Sequence, residues 1–112
     1  MATSKPQIPA PIHKEVGEPF FIERTENPST GYRLVISQLP EGLALLSDDY
    51  QPASQAPGLV GVPGKRTFVF AGIRPTEGTI VLQFSQPGVP VTLQPPTFGN
   101  RIPVQIFDPK QL

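Results

Sequence analysis

The sequence predicts an all-β protein, an immunoglobulin-like β-sandwich of about seven strands, and three observations predict it. Apolar residues alternate with polar ones at a period of two far more often than they recur at the helical period. Pro, Gly, Asn and Asp punctuate the alternating runs at short intervals. No proline-free window carries a helical apolar stripe of useful length. Half-buried strands of this kind bury their apolar faces against a second sheet.

The elements follow in chain order. The first candidate strand is QIPAPI, residues 7–12, in which Pro9 and Pro11 each remove a ladder donor. PFFIERT (19–25), YRLVISQL (32–39) and LALLSDDY (43–50) come next, with the turn LPEG at 39–42 between the last two. In RTFVFAG (66–72), Phe68 and Phe70 share a face with Arg66, and Thr67 and Val69 lie opposite. After the turn RPTEG, GTIVLQFSQ (78–86) places Ile80, Leu82 and Phe84 on one side and Gln83 and Ser85 on the other. RIPVQIF (101–107) closes the set through Ile102, Val104 and Ile106. Pro103 interrupts this last run, so it and the first strand are expected at sheet edges or at bulges. Prolines at edges also favour a monomer, because they blunt pairing between copies.

Composition bounds the rest. The 112 residues suit one domain, 1–112, with residues 1–6 a flexible tail, and seven Phe with 38% hydrophobic residues suffice for a core despite 16 Pro and 10 Gly. Nine basic and nine acidic residues cancel, so no field favours nucleic acid or an anionic membrane as a partner. No apolar run approaches the roughly 20 residues of a membrane span. The start MATSKPQIPAPIHKE has no apolar core of a secretory signal, which fits a cytoplasmic protein, or a periplasmic or secreted one whose signal has been removed. Cysteine is absent, and with it go disulfides, thiolate metal sites and thiol nucleophiles.

No catalytic constellation emerges, so the chain is not expected to be an enzyme and no cofactor is implied. His13 is the single histidine and reads as a surface residue, and no GxSxG occurs. GVPGKRT fails as a phosphate loop: Leu59 stands where its first Gly belongs, Arg66 follows Lys65 where Ser or Thr should, and a strand follows in place of a helix. Asp48 and Asp49 are adjacent in a strand, point to opposite faces and read as a solvated strand end.

Three connections exceed what strand building needs: ENPSTG from Glu26, QPASQAPGLVGVPG from Gln51 and QPGVPVTLQPPTFG from Gln86. With strands in immunoglobulin order these are the second-to-third, fourth-to-fifth and sixth-to-seventh connections, which gather at one end as a binding edge. In the first, Asn27 can accept from an amide about two residues on, Pro28 fixes φ near −65°, and Gly31 permits a positive φ. Ser29 and Thr30 would then be held at a tip that is ordered before binding, which raises affinity.

NPSTGY resembles the NPTTG-aromatic motif of the chagasin-type inhibitors of papain-like cysteine peptidases, which have an immunoglobulin-like fold. LVGVPGKRTF (59–68) is similar to their GxGG loop and following strand, and GTIVLQFSQPG (78–88) to their next strand and third loop. The resemblance runs from about Gln7 to Phe107 and implies an inhibitor that blocks the active-site cleft of a papain-like cysteine peptidase with three loops. It implies peptidase-binding roles for Asn27, Pro28, Ser29, Thr30, Gly31 and Tyr32 in the first loop. In the second it implies them for Gly61, Val62, Pro63 and Gly64, whose glycines would let backbone approach the peptidase closely. In the third they fall to Gln86, Pro87 and Gly88, which occupy the places of an Arg-Pro-Trp motif.

Two departures stand out. Pro63 replaces a glycine and stiffens the second loop. Gly88 replaces a tryptophan, and losing such an anchor costs on the order of 2 kcal/mol, roughly 30-fold in affinity. Phe98, farther along the same loop, is a candidate substitute that the sequence does not favour. The rival reading is a non-inhibitory immunoglobulin-like module that binds another protein, or serves a structural role, through the same loop edge.

Overall fold

The computed structural model describes residues 11–52, 63–88, 90 and 100–111. Among the described residues there are seven strands, β1 (Ile12–Glu15), β2 (Phe20–Glu26), β3 (Arg33–Gln38), β4 (Leu43–Gln51), β5 (Gly64–Gly72), β6 (Thr76–Ser85) and β7 (Arg101–Phe107). They form a four-stranded sheet in the order β1-β7-β6-β3 and a three-stranded sheet in the order β2-β5-β4. All pairings are antiparallel except that of β1 with β7. Two sheets with crossing connections give the immunoglobulin-like sandwich that the alternation implied.

Alternation decides the core. Phe68 and Phe70 of β5 meet Ile80 and Leu82 of β6, each at most 1% exposed, with Phe20, Ile22, Leu34, Leu43, Ile102, Val104 and Ile106 around them. Burying side chains of this size stabilises by about 1.5–3 kcal/mol apiece before chain entropy is set against it. Gln83 and Ser85, on the opposite side of β6 from Ile80 and Leu82, are also buried, so that face of the strand is covered near its end.

Of the two sequence expectations about proline, one changes. Strand β1 starts at Ile12, one residue after Pro11, and lies at a sheet edge as expected; residues 7–10 of its candidate run fall outside the described residues. Pro103 does not mark an edge: β7 lies between β1 and β6. The register shows why the sheet tolerates it. The Leu82 amide donates to the Asn100 carbonyl, so by alternation Ile80–Ile102 and Gly78–Val104 are hydrogen-bonded pairs and Thr79–Pro103 is not. The Pro103 nitrogen therefore faces the β1 side, where pairing begins only at Val104. No ladder bond is lost.

The same registers place the connections. Glu26 at the end of β2 lies opposite Gly64 at the start of β5, and Gln51 at the end of β4 lies opposite Lys65. Arg33 at the start of β3 lies opposite Ser85 at the end of β6. The roots of all three long connections thus meet at one end of the sandwich.

Candidate functional site

The first loop is built by its own side chains. Asn27 turns its Oδ1 onto the Ser29 amide at 3.1 Å and the Ser29 hydroxyl at 2.7 Å, closing an Asx turn. The Asn27 carbonyl accepts from the Thr30 amide at 3.2 Å and the Thr30 hydroxyl at 2.8 Å. The Tyr32 amide in turn donates to Thr30 Oγ1 at 3.3 Å. Pro28–Thr30 form one 3₁₀ turn, whose first position suits a residue without an N–H. Gly31 follows at φ 81°, the left-handed conformation that lets the chain re-enter β3. Ser29, Thr30, Gly31 and Tyr32 are all exposed. The Asn27 turn and the positive φ of Gly31 expected of NPSTGY are both present.

Of the second loop, Gly61 and Val62 lie outside the described residues, as does Phe98 of the third. Pro63 is exposed and Gly64 is buried inside β5. A Cβ on Gly64 would press into the Gln51 carbonyl and the Tyr50 ring, so this glycine lets β4 and β5 close on each other at the loop root. In the third loop Gln86, Pro87 and Gly88 are exposed, and Gly88 has φ 85° with open space around it. Glycine suits this backbone where tryptophan would be strained.

Beneath the loops sits a charged cluster that sequence reading missed. Arg66, on the inward face of β5, is buried, and its Nε and Nη2 both donate to the Glu26 carboxylate, itself 3% exposed. Its Nη1 donates to Asp48 Oδ1 at 2.6 Å, and the guanidinium lies 5.4 Å from the centre of the Tyr50 ring. Arg33 approaches the other oxygen of Asp48 at 3.9 Å. Asp48 is exposed, as expected of a solvated position, but its carboxylate is paired with Arg66; Asp49 is exposed as well. The Glu26 hydrogen bond, and secondarily that of Asp48, hold the Arg66 guanidinium above its ordinary pKa against the opposing effect of burial. A signal was available, because an arginine in phase with Phe68 and Phe70 requires a carboxylate partner inside. Glu26, in phase with Phe20 and Ile22, is the buried one of the two that meet it.

Glu26, Gly31, Tyr32, Arg33, Tyr50, Arg66 and Pro87 line an open concavity of about 320 Å³. Residues from the first and third loops and from the root of the second share this one surface. Among the described residues its lining holds no nucleophile–base pair.

A match to the family described as chagasin family peptidase inhibitor I42 covers residues 14–100. No curated protein matches. Among solved structures, the chain is similar to the cysteine protease inhibitor EhICP2 from Entamoeba histolytica, with a TM-score of 0.68 and 22% identity over 88% of this chain and 86% of that one. It is also similar to amebosin, solved in solution, with a TM-score of 0.61 and 28% identity over 88% of this chain and 100% of that one.

Proposed function

The chain belongs to the chagasin family of peptidase inhibitors, and from that premise we propose that it blocks the active-site cleft of a papain-like cysteine peptidase with a wedge of three loops. It is an inhibitor and not an enzyme. Asn27, Pro28, Ser29, Thr30, Gly31 and Tyr32 form the leading edge of the wedge. Gly61, Val62 and Pro63 are assigned as the contacts of the second loop, and Gln86, Pro87 and Gly88 as those of the third. Gly64 acts from the root, packing β5 against β4.

The internal bonding of the first loop carries this reading. The four hydrogen bonds that Asn27 accepts from Ser29 and Thr30 fix the tip before any partner arrives. A tip already ordered loses little entropy on binding. Occlusion then needs no covalent step and no extended substrate-like strand. The described strands share one core, which supports treating residues 1–112 as one domain; Pro11, directly before the edge strand β1, supports a monomer by blunting pairing between copies.

The test is steric. Ser29→Lys and Thr30→Lys, made singly, should weaken inhibition of papain by at least about tenfold, roughly 1.4 kcal/mol. Both positions are exposed, so losing their hydroxyl bonds within the turn should lower stability by only about 1 kcal/mol. Undiminished inhibition by both variants would contradict the wedge. Gly88 favours the second reading, a non-inhibitory module using the same edge, because it leaves open space where the family motif has tryptophan.

A further inference from the structure

We propose that Arg66 is a positioning residue for the peptidase-facing end, tying the roots of the first and second loops together through Glu26 and Asp48. The proposal rests on the reading above of which end meets the peptidase. Arg66 lies on β5 two residues after Gly64, which ends the second loop. Glu26 is the last residue of β2, and the next residue, Asn27, holds Ser29 and Thr30 through its side chain and carbonyl. Asp48 lies on β4 three residues before its end at Gln51, where the second loop begins. One guanidinium therefore fixes the ends of three strands that feed two of the three loops.

Stability alone gives a poor reason for this cluster. Buried ion pairs return little net stabilisation after desolvation, and apolar replacements of similar volume often serve as well or better. What they do not replace is direction. The planar fork of Arg66 satisfies two carboxylates on different strands at once, with its face against Tyr50, so it fixes angle as well as distance. Lysine offers a point charge and no fork.

The experiment compares wild type, Arg66→Lys and the double variant Glu26→Leu/Arg66→Met, in which Asp48 keeps Arg33 nearby and no buried charge is orphaned. Three quantities are read: the urea midpoint, inhibition of papain, and ¹⁵N order parameters of the 29–31 amides in the free protein. The double variant should unfold near the wild-type midpoint yet inhibit at least about tenfold more weakly. Its 29–31 amides should fall below an order parameter of about 0.6 from near 0.85 in wild type. Arg66→Lys should not restore either property. A double variant with a rigid first loop and full inhibition would overturn the proposal. If the double variant does not fold, Arg66→Lys decides by the same two readouts. If wild type itself does not inhibit papain, the inhibitory reading has failed, and the order parameters alone decide whether Arg66 positions the loop.

Discussion

Gly31 and Gly64 lie at the same end of the molecule, and alanine at each meets a different obstacle. At Gly31 the obstacle is conformational: φ is 81° and nothing lies within contact of an added methyl. Gly31→Ala should cost about 1–2 kcal/mol of backbone strain. At Gly64 the obstacle is steric, because the methyl would displace the Gln51 carbonyl and the Tyr50 ring. Gly64→Ala should cost more, about 3 kcal/mol, and loosen the β4–β5 hairpin. Urea midpoints of the two variants check the ranking, and a milder effect at Gly64 would contradict it. Sequence made the first of these glycines legible and only half of the second. The Asn27 turn closes within three residues, so local chemistry suffices to read it. The partners of Arg66 lie 40 and 18 positions away, and only the fold brings Glu26 and Asp48 to it.

At the scale of elements, alternation carried nearly everything. The runs 66–72, 78–86 and 101–107 became β5, β6 and β7 with the expected residues inside, because a period of two with one buried face leaves one choice of orientation. Sheet order was beyond reach, and with it the place of β7. Proline in a strand was read as an edge signal, whereas the relevant variable is which way its nitrogen faces. Pro103→Ala should therefore change stability by no more than about 1 kcal/mol, chiefly through the unfolded chain. Val104→Pro, one residue on, removes an amide from the Gly78 ladder at a buried position. It should unfold at a much lower denaturant concentration, and equal midpoints for the two variants would refute the register argument.

The whole molecule is a sandwich whose two sheets converge on one end, where β2 meets β5 and β3 meets β6. That convergence turns three loops distant in sequence into one surface. With nine positive and nine negative side chains, the surface has no long-range field to rely on. Inhibition should therefore vary little between low and moderate salt. The wedge acts through shape, through the fixed turn at Asn27, and through the ordered roots beneath it. The central claim is that this end fills a papain-like cleft. Titration of active papain with the purified protein, followed by hydrolysis of a small fluorogenic substrate, tests it most directly. The expected result is complete, reversible inhibition at sub-micromolar concentration; full activity retained at about 10 μM inhibitor, a binding free energy weaker than roughly −7 kcal/mol, would contradict it.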